Sequence, residues 1–290
     1  MTMYTIYTDT CANLPAGMIA QFGISVIPLH YTLNGKTYPS PDAGEEPMDG
    51  KKYYDAMRKG ASVKTSMINT SAFVSAFQTS LSAGMDVLYI GISSGISGTH
   101  QAALAAASEL REKFPDRKIA VIDTRAASLG EGLPVLFATR LREAGASFDE
   151  AVRQTEANST SICQYFTVED LMYLKKGGRI SGAAAIVGNI LQVKPILKGD
   201  EEGKIVLFRK ERGRKRSMEA LVSIYQELVA DKSTAVGIAH GDSEEDAMYL
   251  KRRLFESGHS GEVLMECYEP VTGSHVGPGT IALFFYGVHR

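Results

Sequence analysis

The spacing of apolar and polar positions marks most elements of this chain. Residues 4–8 alternate and are rich in Tyr, Thr and Ile, which predicts a strand ending at Asp9-Thr10. Asn13-Leu14-Pro15 then opens a short helix over 16–22. Residues 25–33 predict a second strand, and Asn34-Gly35 a hairpin turn. Residues 39–50 hold three prolines, several acids and two glycines, and predict an exposed loop. A helix is expected over 51–59, a polar connection over 65–70, and a helix over 71–83 with apolar residues at 73, 74, 77 and 81. Residues 87–92 and 119–122 are continuously apolar, as in strands covered on both faces. Helical patterns follow at 98–113, 126–143 (with Pro134 as a kink point) and 148–158. Strands alternating with helices predict a parallel, doubly wound sheet in the first 160 residues.

The second half reads differently. Strands are expected at 162–166, 235–240, 262–268 and 281–286, with helices at 169–175, 214–230 and 244–257. Residues 194–197 and 204–209 read as a hairpin around the acidic turn 199–203, and 271–279 as a Gly/Ser/His turn. Two α/β domains are therefore expected: residues 1–161 with a parallel doubly wound sheet, and residues 162–290 with a mixed sheet and helices.

Composition narrows the classes. Apolar content of 44% and charged content of 22% over 290 residues suit an ordinary globular chain. A net charge of −2 supplies no bulk field for nucleic acid or anionic membrane. The longest apolar stretches are too short to span a bilayer, and the N-terminus has neither a basic region nor an apolar core of the signal-peptide kind. Cys11, Cys163 and Cys267 are odd in number and widely spaced, which fits a reducing cytoplasm. No Cys/His cluster is present, so no metal is expected.

The stretch Gly91-Ile92-Ser93-Ser94-Gly95-Ile96-Ser97-Gly98 carries candidate chemistry. It matches G-x-S-x-G, and the chain order Ser93, then Asp123 or Asp242, then His275 fits a serine hydrolase. Against this, a second glycine-bearing segment intervenes before the helix, and no upstream HGGG-type oxyanion segment exists. A second reading is an anion cradle. Ser93, Ser94 and Ser97 then lie beyond a parallel strand at a helix start, where free N–H groups favour a carboxylate or phosphate. A third is a plain turn with Ser97 as helix cap.

Lys64-Thr65-Ser66 reads either as a capping segment or as a second hydroxyl pair. His275 lies among three glycines and a proline, where it is either structural or a hydrogen-bond donor to an acid. Residues 175–179 (KKGGR) are basic and able to bind phosphate, but no P-loop pattern is present. Residues 209–216 hold six basic side chains in eight positions, a patch suited to an acidic protein surface more than to nucleic acid.

Taken together, these segments resemble the DegV family. The matching pieces are T-D-T-C-A-N-L-P (8–15), N-G-K-T-Y (34–38), K-T-S (64–66), I-S-S-G-I-S-G-T (92–99) and V-I-D-T (121–124). They continue with Y-L-K-K-G-G-R-I-S (173–181), G-N-I-L-Q-V-K-P-I-L (188–197), K-E-R-G-R-K-R (210–216) and S-H-V-G-P-G (274–279). They fall in the family's order across nearly the whole chain. The chain departs from the family's T-S-Q-P at Thr65-Ser66-Met67-Ile68 and from its D-S-T-A at Asp9-Thr10-Cys11-Ala12.

The resemblance implies a non-catalytic, cytoplasmic bacterial carrier of one long-chain fatty acid, such as palmitate, stearate or oleate, held between two α/β domains without a cofactor. It implies that the carrier presents the carboxylate to an ATP-binding fatty acid kinase subunit for acyl-phosphate formation in phospholipid synthesis, with transient membrane contact. Thr65, Ser93, Ser94 and His275 are the carboxylate-binding positions carried over, with Ser97 from the same serine cluster. Arg212, Arg214 and Lys215 fall in the expected kinase-docking segment. The rival remains an esterase using Ser93 and His275. The small-residue segments 102–107 and 182–186 are candidates to border an acyl slot, or simply to pack closely.

Overall fold

The structure, a computed structural model, describes residues 4–40, 49–180 and 193–290. The small-residue segment 182–186, residues 188–192 of the motif at 188–197, and most of the acidic loop (41–48) lie outside the described residues. The strands before residue 161 are β1 (Tyr4–Asp9), β2 (Ser25–Ile27), β3 (His30–Leu33), β4 (Lys36–Pro39), β5 (Val63–Ser66), β6 (Asp86–Gly91) and β7 (Ile119–Asp123). Those after it are β8 (Ile162–Thr167), β9 (Val193–Gly199), β10 (Ile205–Arg212), β11 (Val236–His240), β12 (Val263–Cys267) and β13 (Ile281–Tyr286).

The first sheet has the order β2-β1-β6-β7 and is parallel throughout, as the strand–helix alternation predicts. Every residue of β6 is buried, which explains its unbroken apolar run. The helix Thr99–Lys113 returns the chain from β6 to β7. It buries Ala102, Ala103, Ala106, Ala107 and Leu110, so short side chains bring it close to the sheet. That assigns segment 102–107 to close packing. From β1 the chain leaves toward β2, and from β6 it leaves toward β7. The ends of β1 and β6 therefore form a topological switch point, the place where open α/β sheets bind ligands. The serine turn follows β6 there.

The second half forms one mixed sheet, β10-β9-β8-β13-β11-β12; among its described strand pairs β11 and β12 run parallel and the others antiparallel. The helix Leu129–Glu143 joins the halves. Its Leu129, Leu133 and Leu136 belong to a single core that runs from Tyr4 and Leu88 to Phe166 and Phe284.

Three expectations are corrected. Residues 25–33 are two strands in different sheets, β2 and β3, because the chain leaves the parallel sheet at Pro28-Leu29. Pro28 has no N–H to continue a ladder. Residues 63–66, expected as a polar connection from 65, form β5, which pairs with β3 at the edge of a three-stranded antiparallel sheet. Residues 270–276 form a helix, not an open turn. Pro270 presets its first position, and the Glu269 carboxylate caps it by accepting from the Val271 and Thr272 N–H groups.

Candidate functional site

A cavity of about 320 Å³ opens beside the serine turn. Leu29, Ile92 and Ile96 face it from the first half of the chain, and Phe166, Ile205 and Phe284 from the second. Thr65, Ser97, Arg179 and His275 also line it. An apolar wall with a few polar groups is the usual form of a small-molecule site.

Alternation along β5 gives Thr65 a half-buried position, opposite in face to exposed Lys64 and Ser66. Its Oγ1 lies 2.9 Å from His275 Nε2. This bond joins residues far apart in sequence, and its direction follows the imidazole tautomer. His275 stands in the last turn of the helix Pro270–Val276. A Cβ on Gly177 would sit 2.3 Å from His275 Nδ1, so only glycine allows that approach. Burial, and then the Arg179 charge, push the His275 pKa down to about 4. The ring is therefore neutral at pH 7, and one of its nitrogens is an acceptor.

Arg179 donates from Nε to the Ile96 carbonyl at 3.3 Å and from Nη1 to the Gly177 carbonyl. It thereby ties the KKGGR turn to the serine turn. It was not among the expected carboxylate ligands. The available signal was the basic, glycine-rich segment itself, read from sequence only as a phosphate binder.

Ser93 and Ser94 behave differently from Thr65 and His275. Ser93 is fully buried. Its Oγ donates to the Gly203 carbonyl at 2.9 Å and accepts from Gly95 N–H at 3.1 Å. Ser94 Oγ donates to Asp123 at 2.6 Å, and its N–H donates to the same carboxylate at 3.1 Å. Neither serine lines the cavity, while Ser97 does. Ser97 Oγ accepts from Thr99 N–H at 3.2 Å, a local turn contact just ahead of the following helix, whose N-cap is Gly98 rather than the expected Ser97. Beneath the turn, Asp9 at the end of β1 accepts from Tyr89 Oη at 2.6 Å and from Ile92 N–H at 3.2 Å. The structure thus brings Thr65, Ser97 and His275 together with Arg179, and engages Ser93 and Ser94 in holding the turn.

The esterase alternative requires a nucleophile bonded to a base. His275 Nε2 is bonded to Thr65, and the Ser93 hydroxyl to a backbone carbonyl, so the two residues are not coupled. Among the described residues no cluster of three or more His, Cys, Asp or Glu side chains forms a metal site. All three cysteines are free, and no described helix is long and apolar enough to cross a membrane.

None of residues 209–216 lines the cavity. Arg212 and Lys215 are exposed, whereas Arg214 is half-buried. Arg214 pairs with Asp246 at 2.6 Å and donates to Ser243 Oγ at 3.3 Å.

A family model described as "Uncharacterised protein, DegV family" matches residues 3–288. The DegV domain-containing protein CPE0026 of Clostridium perfringens is 37% identical over 288 residues, which cover 99% of this chain and 98% of that protein. The DegV domain-containing protein YteA of Lactococcus lactis is 34% identical over 97% of this chain and 96% of its own length. Among solved structures, a DegV family protein of Thermus thermophilus described by its fatty acid binding superposes with a TM-score of 0.89. It is 31% identical, and the match covers 99% of this chain and all of that one. DegV of Bacillus subtilis, described as a fatty acid binding protein, gives 0.84 at 28% identity, covering 98% and 99% of the two chains. With the family model spanning nearly every residue, the chain belongs to the DegV family.

Proposed function

We propose that this protein binds one long-chain fatty acid non-covalently, with its carboxylate at the pole formed by Thr65, Ser97, Arg179 and His275. The observation that carries this reading is a cavity with an apolar wall and a single arginine at one polar end. The fatty-acid-binding relatives of similar fold support it. Burying a sixteen-carbon tail contributes about 10 kcal/mol before ordering costs, at about 0.8 kcal/mol per CH₂. Thr65 and Arg179 donate to the carboxylate, and these charge-assisted bonds orient it with no covalent step. Ser93 and Ser94 act through the turn they brace.

On this reading the protein is a cytoplasmic carrier that offers the carboxylate to an ATP-binding kinase subunit and makes transient membrane contact. In that step a carboxylate oxygen attacks the γ-phosphorus of ATP, the bond to ADP breaks, and acyl phosphate for phospholipid synthesis forms. Exposed Arg212 and Lys215 are the docking residues of this proposal, and Arg214 supports them through Asp246.

Solvent extraction of the purified protein followed by mass spectrometry tests the first part. Close to one equivalent of fatty acid is expected, and none after reloading with excess palmitate rejects it. Arg212→Ala should slow acyl-phosphate formation with the kinase subunit while leaving lipid content unchanged. Loss of both together rejects the docking role.

A further inference from the structure

The apolar cavity carries a second polar feature, which the carboxylate pole does not use. Its aromatic wall is one face of the second sheet. Gln164 and Phe166 share that face along β8, and Gln164 lies directly opposite Phe284 of β13. One position of the wall is therefore an amide beside two phenyl rings. The amide is held in place. Its Nε2 donates to the Arg125 carbonyl at 3.0 Å. A Cβ on Gly199 would sit 1.9 Å from that nitrogen, so the glycine leaves the space the amide fills. With the nitrogen on a carbonyl, the free end is Oε1, an acceptor with no partner among the described residues.

Ser128 lines the same cavity, three residues after Arg125. It is 1% exposed, and its Oγ has no hydrogen-bond partner among the described residues. It precedes the helix Leu129–Glu143, yet its side chain does not cap that helix. Its backbone stands at φ 55° and ψ −143°, a region that residues with side chains rarely adopt and that clusters at ligand sites. Two residues on, a Cβ at Gly130 would sit 2.9 Å from the Phe284 ring, so the start of the helix meets the wall that carries Gln164. A plain alkyl chain leaves both Ser128 Oγ and Gln164 Oε1 unpaired, and a buried polar group without a partner costs free energy.

We propose that Ser128 and Gln164 form a hydroxyl subsite within the acyl cavity, which selects a fatty acid bearing one hydroxyl group along its chain. The inference rests on the fatty-acid reading above and narrows its ligand class. A chain hydroxyl both donates and accepts. Its O–H donates to Gln164 Oε1, and its oxygen accepts from Ser128 Oγ. A keto or ether oxygen only accepts and leaves Gln164 unpaired. A double bond satisfies neither group. A carboxylate also only accepts, and its cation is Arg179 at the other polar feature.

The test uses stearate and a series of monohydroxystearates that differ only in hydroxyl position. Each competes against a fluorescent fatty acid for the wild type, Ser128→Ala and Gln164→Met. The isomers share one hydroxyl, so differences among them report the cavity wall. In the wild type one isomer should bind at least as tightly as stearate and about tenfold tighter than the others, which must bury the hydroxyl against apolar side chains. Ser128→Ala should bring that isomer down to the level of the rest while leaving stearate affinity unchanged. Its Tm should stay the same or rise, because the change removes an unpaired hydroxyl from an apolar wall. Gln164→Met, close in shape, should erase the same preference. Uniform binding of the isomers overturns the subsite and assigns the two groups to bound water. A preference that survives either variant overturns it, as does equal loss of stearate and the favoured isomer in Ser128→Ala. If the wild type binds neither stearate nor any hydroxystearate, the fatty-acid reading itself fails.

Discussion

Replacing Thr65 by Val tests the polar pole with the least disturbance elsewhere. Valine keeps the branched Cβ that suits β5, so the pairing with β3 should persist. Only the hydroxyl is lost. Two interactions go with it: the 2.9 Å bond to His275 Nε2 and the proposed bond to the carboxylate. The first is a bond between neutral groups, worth about 1 kcal/mol of stability. The second is charge-assisted, worth about 1.5–3 kcal/mol of binding. The unliganded variant should therefore unfold at lower urea by about 1 kcal/mol, and palmitate affinity should drop about 10- to 100-fold. Thr65→Ser, which keeps the hydroxyl, should recover most of both. Urea unfolding of delipidated protein and displacement of a fluorescent fatty acid give the two numbers. Unchanged palmitate affinity in Thr65→Val, with the stability loss present, would show that the carboxylate does not meet Thr65.

Three further outcomes follow. His275 has its pKa lowered in the folded protein to about 4, against about 6.5 unfolded. The unfolded chain therefore binds the extra proton between these values. Stability from this residue is complete above about pH 6.5 and falls as pH drops toward 4, by on the order of 3 kcal/mol; urea midpoints of wild type and His275→Gln should converge across that window. Gly203→Ala combines a positive φ of 75° with a Cβ 2.1 Å from Ser93 Oγ, and should destabilise by about 2 kcal/mol on thermal unfolding, with the hairpin turn displaced from the serine turn. Gly177→Ala should push His275 away from Thr65 and weaken palmitate binding more than it lowers Tm.

The parts of the fold that sequence exposed are those whose burial is uniform. Fully buried β6, and β13, buried through Phe285, appear as apolar runs, and the helix Arg214–Leu228 as a periodic stripe. The helix Pro270–Val276 was hidden because Gly273, Ser274 and His275 read as turn residues. Its start depends on the Glu269 cap, and Glu269 also takes a bond from Ser40, remote in sequence. The short β5 was hidden by its polar residues, since Val63-Lys64-Thr65-Ser66 offers only four positions from which to read a period.

In the candidate site, Thr65 and His275 were visible as separate motifs, but their bond spans 210 positions. The engagement of Ser93 with Gly203 spans 110, and nothing local to the serine turn encodes it. Arg179 was visible only as part of a basic segment, because its bond to Ile96 depends on how the two lobes meet.

The central claim is that a fatty acid lies in the apolar cavity with its carboxylate at the pole shared by Thr65, Arg179 and His275. A crystal structure of the palmitate-loaded protein addresses it directly. The account predicts continuous density between Phe166 and Phe284, ending in a carboxylate within hydrogen-bond distance of Thr65 Oγ1. Palmitate seated elsewhere, or lying in this cavity with its carboxylate turned toward the aromatic wall, would contradict it.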